Sequence, residues 1–431
     1  IASSFCNLTD IRSLRLRIID EGIVSVLSVL ARGSDQKTKR VCSIILQNLA
    51  SEKTCRNEII SKGAIQACYG LSGDQDPVIL QSVAVTLSRL MAYNKQTLRI
   101  INEGGVSALS NIAVRFPSIP DISIPCSLAF QQMADNQDVR QSMVQEGCTQ
   151  ALISLLRNHA DQKTLEATLW TVCHLLAVQE NHIPMVQHGI LPILVRLCYD
   201  VSTELESVCS LCFFNLSCSP DSRRSVISSG SIPSIMKLAK EATLLETKTK
   251  CAATLCNLAN LNKGVEKMVS EGVVAMLVEL IALKDPLTMK YCYATLCRVA
   301  NNEENCLTIL EEGAAPYVVQ GSLDSEEEGS DDETKIFCCA VLSSLSVYPE
   351  CQHQLIQEGA LEALIQLAHH PDDLTKQRCL FAFSCLSSEP SIQAPLIESN
   401  VIQTISMLSD SYHERNQNHC ARTICNLACC P

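Results

Sequence analysis

The chain has 431 residues, a formal net charge of −12 and a hydrophobic content of 47%. Its acidity excludes a general attraction to nucleic acid or to an anionic membrane surface. Aromatic residues amount to 4%, with a single Trp. The core must therefore be built from Leu, Ile, Val, Ala and Cys, which favours closely packed helices.

Neither export nor membrane insertion is expected from the sequence. No stretch approaches the roughly 20 apolar residues that a membrane-spanning helix needs. The first residues, IASSFCNLTD, lack the basic segment and apolar run of a signal peptide. We therefore predict a cytoplasmic chain whose 25 cysteines are reduced thiols.

One helical pattern returns along the chain at intervals of 41 to 46 residues. In TLCNLAN an apolar residue stands two positions before Asn257 and another stands one position after it, and a glycine follows fifteen positions after it. The residues at this position, which we call the ladder residues, are Asn7, Asn48, Arg89, Gln132, His174, Asn215, Asn257, Arg298, Ser344, Cys385 and Asn426. A unit of this length cannot bury its own apolar face, so the repeats are expected to stack into a solenoid.

Each repeat is predicted to contain three helices. Around Asn257, TKTKCAATLCNLAN has the 3.6-residue period of a third helix, MVSEG ends the short first helix of the next repeat, and VVAMLVELIAL is its second helix. Gly272 lies between the last two, where the turn needs a left-handed residue. Asn400 replaces this glycine once, and Asn is the non-glycine residue that best tolerates that conformation.

The predicted repeats cover the whole chain. A partial repeat spans 1–9, and the others span 10–51, 52–92, 93–135, 136–177, 178–218, 219–260, 261–301, 302–347, 348–388 and 389–431.

These phrases resemble the armadillo repeat. IILQNLAS, FFNLSCS and TLCNLAN are similar to the end of its third helix, and VSEGVVAMLVEL and IQEGALEALIQL are similar to its turn between the first two helices. The resemblance covers essentially the full chain. It implies an all-α fold, namely a right-handed α-solenoid of about ten armadillo repeats.

The resemblance also implies where partner proteins bind. In armadillo proteins the third helices line a concave groove, and an Asn at the ladder position hydrogen-bonds to the backbone of an extended peptide, because its amide is both donor and acceptor. Five ladder residues keep this Asn, and the others depart from it. The predicted partner-binding residues are Asn48, Arg89, Gln132, Trp170, His174, Asn215, Lys250, Asn257, Lys290, Arg298 and Arg378.

Within the family, the chain resembles β-catenin-type scaffolds more than importin α. Importin α carries an array of tryptophans one helical turn before the ladder, whereas this chain has Trp170 alone. Basic residues cluster near the starts of the third helices, namely Lys37, Lys39, Arg40, Lys248, Lys250, Lys290, Lys376 and Arg378. Together with Arg89 and Arg298 they predict a locally basic groove for acidic partners, the alternative being solvated charges at helix starts.

The cysteines are predicted to be structural. Thirteen of the 25 lie six residues or one residue before a ladder residue, where a small apolar side chain lets helices approach closely. Cys209 and Cys212 lie within a predicted helix and lack a second ligand pair at zinc-site spacing. No phosphate loop, dinucleotide fingerprint or His-Glu-x-x-His motif occurs. We therefore predict no metal, no cofactor and no enzymatic activity.

An acidic insertion causes the one spacing of 46 residues. GSLDSEEEGSDDETK carries seven carboxylates in fifteen residues, so a loop insertion is predicted at 321–334, between the second and third helices of its repeat. Ser325 and Ser330 precede acidic clusters, a pattern typical of acid-directed phosphorylation. The alternatives are a purely solvated loop and a loop that folds back onto the basic groove.

These observations predict a non-enzymatic protein–protein interaction scaffold. Its partners would be extended, acidic segments of other proteins that bind along the groove. The alternative is a fixed structural adaptor in a large cytoskeletal or ciliary axonemal complex. Neither hypothesis involves nucleic acid or membrane insertion.

Overall fold

The computed structural model describes residues 2–92, 96–159, 161–200, 202–324, 331–409 and 414–429. Within these ranges the chain forms 31 α-helices, numbered α1 to α31 in chain order, and no β-strand. The predicted all-α solenoid class is thus confirmed. The chain divides into two compact units, unit 1 (Ile1–Ser225) and unit 2 (Val226–Pro431).

The helices follow the predicted order of first, second and third helix. The first helices are α2 (Arg15–Asp20), α5 (Arg56–Ser61), α8 (Thr97–Asn102), α11 (Arg140–Gln145), α14 (His182–Gln187), α17 (Pro220–Ser228), α20 (Asn262–Ser270), α23 (Glu303–Glu311), α26 (Pro349–Gln357) and α29 (Pro390–Glu398). The second helices are α3 (Ile23–Leu30), α6 (Ala64–Ser72), α9 (Gly105–Arg115), α12 (Cys148–Arg157), α15 (Ile190–Asp200), α18 (Ile232–Glu241), α21 (Val273–Ile281), α24 (Ala315–Leu323), α27 (Ala360–Leu367) and α30 (Val401–Leu408).

The third helices carry the ladder residues. They are α1 (Ala2–Asp10), α4 (Gln36–Ser51), α7 (Pro77–Met91), α10 (Pro120–Ala134), α13 (Gln162–Leu176), α16 (Thr203–Cys218), α19 (Leu245–Leu258), α22 (Pro286–Val299), α25 (Asp332–Leu345), α28 (Asp373–Leu386) and α31 (Glu414–Ala428). Short 3₁₀ helices precede four first helices, at Arg12–Leu14, Lys53–Cys55, Gln137–Val139 and Gln179–Asn181.

Successive third helices pack against one another at the centre of each unit. In unit 1 the contacts run from α1 through α4, α7, α10 and α13 to α16, and in unit 2 from α19 through α22, α25 and α28 to α31. The apolar residues that flank the ladder are buried in these contacts, as at Leu255 and Leu258. On α31, by contrast, Ile424 is exposed.

Each turn between a first and a second helix contains a left-handed residue, as predicted. Gly272 has φ 78° and Asn400 has φ 66°. Positive φ also occurs at Gly22, Gly63, Gly104, Gly147, Gly189, Gly230, Gly313 and Gly359. A Cβ added to Gly272 would meet no atom within 4 Å. The backbone conformation, rather than a lack of space, therefore favours glycine at this position.

Many third helices begin with an Asp that caps their first turn. The carboxylate of Asp161 accepts hydrogen bonds from the backbone N–H of Thr164 at 2.7 Å and from its Oγ1 at 2.7 Å. The backbone bond to a Thr three residues on recurs for Asp35 and Thr38, Asp285 and Thr288, Asp331 and Thr334, and Asp372 and Thr375. Such caps satisfy N–H groups that have no partner within the helix.

A second side-chain cap closes the third helices at their C-terminal ends. Arg140 is buried, and its Nε donates to the carbonyl oxygen of Ala134 at 2.7 Å. The same bond to the residue six positions earlier is made by Arg15, Arg56, His182, Arg223, Gln352 and Gln393. These bonds satisfy carbonyl groups that the helix end leaves unpaired.

The acidic insertion is shorter than the sequence pattern indicates. The second helix α24 continues to Leu323, and Gly321 within it packs so closely under Tyr293 that a Cβ would lie 2.7 Å from the phenol oxygen. The third helix α25 already begins at Asp332. Both ends of the predicted loop 321–334 are therefore helical, while the phosphorylation sites predicted within it lie outside the described residues.

The cysteines lie mainly at the contacts between helices. In the part of the chain that the structure describes, no cysteine forms a disulfide. Burial raises the pKa of Cys68 to about 12 and that of Cys42 to about 11. Because such thiols stay protonated at neutral pH, they act as small apolar side chains.

Candidate partner-binding surface

The ladder residues follow one another along the stacked third helices of each unit. Each is half-buried, apart from Asn7, which is exposed. Neighbouring packed helices are about 8 to 10 Å apart, so ladder residues recur at roughly this spacing. We call the side of the third helices that bears them the third-helix surface.

Two ladder residues of unit 1, Asn48 and Arg89, link adjacent repeats. Asn48 on α4 donates from Nδ2 to Asp10 Oδ1 at 2.8 Å, while Arg89 on α7 donates to the carbonyl oxygen of Gln47 at 2.8 Å. An amide in this position still presents its oxygen as an acceptor. These two predicted residues therefore join neighbouring third helices and retain polar atoms for a ligand.

The next two ladder residues of unit 1 have unsatisfied polar atoms. Oε1 of Gln132 on α10 is buried and has no hydrogen-bond partner within the described residues. Nδ1 of His174 on α13 makes no hydrogen bond either, although Asp135 Oδ1 is 3.4 Å away. Burial and then the charge of Arg140 lower the pKa of His174, while Asp135 opposes the shift. His174 is therefore neutral at pH 7 and presents an acceptor nitrogen or an N–H.

Trp170 lies beside this pair on the same surface. Its ring centroid is 5.9 Å from that of His174, one helical turn further on, and the side chain is 39% exposed. The positions one turn before the ladder form an apolar stripe in unit 1, which consists of Ile44, Val85, Leu128, Trp170 and Leu211. All five are half-buried or exposed, so unit 1 presents polar ladder atoms beside an apolar strip.

Unit 2 presents a different third-helix surface. The stripe positions of α19, α22 and α25 hold buried alanines instead of large side chains. Arg298 bonds to neutral atoms, with Nε donating to Asn260 Oδ1 at 3.0 Å. Arg378 likewise donates to the carbonyl oxygen of Ile336 at 3.4 Å. Lys250 and Asn257 are half-buried on α19.

Several cations that the sequence assigned to a basic groove are paired with carboxylates. Lys39 Nζ lies 3.1 Å from Asp74 Oδ2. Lys290 Nζ lies 3.1 Å from Asp331 Oδ2 and also binds Glu333. The hydrogen bonds that Lys290 donates to Glu333 and Asp331 raise its pKa. Its charge is thus largely neutralised by residues of the next repeat.

Four of the predicted residues form one group in unit 1. The structure brings Gln132, Trp170, His174 and Asn215 together on the adjacent helices α10, α13 and α16. Asn215 is half-buried. The sequence interpretation missed the apolar stripe, although its signal, five large apolar residues at one repeat position, was present.

Two kinds of feature are absent from the described residues. No three or more His, Cys, Asp or Glu side chains of the described ranges are grouped so as to hold a metal ion. None of the helices described above combines the length and apolarity needed to cross a membrane.

Comparison with known proteins supports the resemblance seen in the sequence. Residues 136–177 match the model of the Armadillo/beta-catenin-like repeat. Catenin beta of Urechis caupo is 23% identical over 273 residues, which cover 57% of this chain and 33% of the relative. Junction plakoglobin of Homo sapiens is 22% identical over 300 residues, or 64% of this chain and 40% of the relative. The matched part of the chain thus spans less than half the length of these relatives.

Solved structures show the same fold. An engineered protein superimposes with a TM-score of 0.65 at 19% identity, covering 95% of this chain and 99% of its own. A structure from a study of the interaction between cadherin and β-catenin gives a TM-score of 0.64 at 14% identity, covering 99% of this chain and 87% of its own. The chain therefore contains an armadillo repeat at residues 136–177 and has an all-α solenoid fold similar to that of β-catenin-type armadillo proteins.

Proposed function

We propose that the chain is a non-enzymatic protein–protein interaction scaffold that binds extended partner segments along its third-helix surface. The observation that carries this proposal is the arrangement around Trp170, where the half-buried polar side chains of Gln132 and His174 lie beside an exposed apolar stripe. An extended backbone has N–H and C=O groups to pair with them, whereas a helix has already used its own.

The acidic character of the partner is the finer part of the proposal. It is supported by Arg89, Arg298 and Arg378, whose guanidinium groups bond to carbonyl, amide or sulfur atoms rather than to carboxylates. Lys290 contributes less, because its ammonium already binds two carboxylates. We therefore assign recognition of partner carboxylates mainly to the arginines.

The test of this function uses a displayed library of short random peptides selected on the whole chain. We expect the enriched peptides to lose at least tenfold in affinity, about 1.4 kcal/mol, for the Trp170→Ala variant. The matched control is Tyr199→Ala, which removes an exposed aromatic residue from the second helix α15 and should leave affinity unchanged. Equal binding to parent and Trp170→Ala would exclude this surface as the binding site.

The side-chain amides of the ladder give a second variant. Replacing both Asn215 and Asn257 by Ala should weaken binding by about 1 to 3 kcal/mol per lost buried partner. Circular dichroism of each variant checks that the helices are retained. An unchanged affinity for this double variant would show that backbone recognition by the ladder plays no part.

The alternative function is that of a fixed adaptor in a large cytoskeletal or axonemal assembly in the cytoplasm. A separate exposed apolar surface in unit 1 supports it, formed by Leu16, Val26 and Val29 on α2 and α3. An adaptor of this kind should co-sediment with cytoskeletal polymer after a high-salt wash. Release of the chain by salt alone would favour transient peptide binding instead.

A further inference from the structure

The start of helix α19 departs from a capping pattern that five other third helices share. On α4, α13, α22, α25 and α28 an Asp at the N-cap bonds to a Thr three residues on. Asp285, for example, accepts from the backbone N–H and the Oγ1 of Thr288 at 2.9 and 2.6 Å. On α19 the N-cap residue is Leu244, which makes no side-chain hydrogen bond, although Thr247 still stands three residues on.

This exception leaves a polar group buried and unsatisfied. Thr247 is 1% exposed, and its Oγ1 has no hydrogen-bond partner among the described residues. Both the lost cap and the unpaired hydroxyl lower stability. Leu244 therefore lowers the stability of the folded chain. This points to a role for Leu244 other than folding.

Leu244 belongs to an exposed apolar patch that spans two repeats. Leu244 and Leu245 open α19, and Leu283 and Leu287 flank the start of α22. Each of the four is between 45% and 51% exposed. We call these four residues the leucine edge.

Hydrogen bonds hold the two helix starts of the leucine edge side by side. Thr249 Oγ1 donates to Thr288 Oγ1 at 2.8 Å, because the proton of the Thr288 hydroxyl is used in the bond to Asp285. Thr288 directly follows Leu287 in the chain. The leucine edge therefore lies at the starts of two helices that pack against each other.

Two lysines without a carboxylate partner among the described residues lie beside the leucine edge, as does the N-cap carboxylate of Asp285. Lys284 is exposed and forms no ion pair within the described ranges, while Lys248 donates to the carbonyl oxygen of Lys240 rather than to a carboxylate. The N-terminus of α19 adds the partial positive charge of its N–H groups. Glu246, in the first turn of α19, offsets part of this charge.

We propose that the leucine edge docks an apolar segment of a partner protein, and that a carboxylate of this segment binds at the N-terminus of α19. The carboxylate would there take the role that the N-cap Asp plays on α4, α13, α22, α25 and α28. Acidic and apolar chemistry on the partner complements the lysines and leucines of the edge. A second copy of the chain is the poorer occupant, because it would bring the same lysines together.

This surface is distinct from the stripe around Trp170, so its test can fail separately from that of the proposed function. The main variant is Leu244→Asp, which restores the capping sequence and should raise the melting temperature by satisfying Thr247. The second variant is Leu287→Gln. The matched control is Leu374→Gln, since Leu374 is an equally exposed leucine at the same position of α28, where Asp372 supplies the cap.

The binding probe is the same displayed library of short random peptides, selected on the parent chain and then screened against each variant. We expect a class of peptides rich in Leu, Ile or Phe together with Asp or Glu. These should lose at least tenfold in affinity for Leu244→Asp and for Leu287→Gln, and bind Leu374→Gln and Trp170→Ala as tightly as the parent.

Three results would overturn the proposal. The first is that no selected peptide depends on either edge variant. The second is that the dependent peptides are basic rather than acidic. The third is that light scattering shows a concentration-dependent dimer of the parent that Leu287→Gln abolishes, which would make a second copy the occupant.

Discussion

At the scale of single residues, the same side chains join repeats and present atoms to a ligand. Asn48 uses its amide N–H to reach Asp10 of the preceding third helix, and its amide oxygen remains an acceptor. Arg140 is more specialised, because its guanidinium is buried against the end of α10. Asn48 therefore joins repeats and keeps an acceptor for a ligand, whereas Arg140 contributes to stability alone.

Removing the buried C-terminal cap should destabilise the fold. Arg140→Ala leaves the carbonyl oxygen of Ala134 without its side-chain donor, which should lower the free energy of unfolding by about 1 to 3 kcal/mol. Arg157→Ala removes an exposed Arg of α12 and is the control. Urea unfolding followed by circular dichroism measures both, and equal effects would contradict the assigned role of Arg140.

A buried histidine at the same repeat position should make stability depend on pH. Burial lowers the pKa of His182 below its ordinary 6.5, while its bond to Leu176 and the charge of Glu180 oppose the shift. The folded chain thus favours neutral His182. This stabilisation is fully present above about pH 6.5 and is lost as the pH falls through the lower folded-state pKa.

The variant that tests this effect is His182→Gln. Gln352 and Gln393 already make the equivalent bond in other repeats, so Gln should keep the fold at neutral pH. Urea midpoints at pH 7.5 and 5.5 should differ less in His182→Gln than in the parent. The exposed His188→Gln is the control, and an undiminished pH dependence in His182→Gln would contradict the account.

At the scale of helices, the turns could be predicted from the sequence more fully than the helix starts. The glycine positions were predicted because only a few residue types tolerate positive φ. The Asp-x-x-Thr caps are equally visible in the sequence. Their contribution to stability becomes clear only on α19, where Leu244 stands at the N-cap and Thr247 Oγ1 is buried without a partner among the described residues. The close packing of Gly321 in α24 against Tyr293 was not predicted, because no local pattern reveals a contact with another helix.

The left-handed turn provides a direct test at this scale. Gly272→Ala should cost about 1 to 2 kcal/mol of folding free energy, because φ is 78° there and no neighbouring atom is involved. Gly272→Asn should cost less, since Asn400 holds the equivalent conformation. Gly73→Ala, at φ −82° and with open space around it, should be neutral or stabilising.

Thermal or urea unfolding of these three variants gives the comparison. The expected order of stability is Gly73→Ala, then Gly272→Asn, then Gly272→Ala. A Gly272→Ala variant as stable as Gly73→Ala would contradict the conformational explanation.

At the scale of the whole molecule, periodicity was enough to predict the repeat fold, but not the electrostatics of its surface. Whether Lys39 or Lys290 is available to a partner depends on which acid the next repeat places beside it, at Asp74 and at Asp331. Such pairs join residues 35 and 41 positions apart, where the pattern of one helix carries no information. The apolar stripe, in contrast, was visible in the sequence as large apolar residues at one repeat position, but the sequence interpretation missed it.

The proposal for the whole chain is that a partner segment runs along successive third helices. Photo-crosslinking tests this most directly, with a peptide selected by the chain and dependent on Trp170. A benzophenone is moved one residue at a time along the peptide, and the crosslinked sites are mapped by mass spectrometry. Our account predicts that the crosslinks pass in order between α7, α10, α13 and α16, at or near the ladder residues. Crosslinks confined to one helix, or found on the second helices α9, α12 and α15, would contradict it.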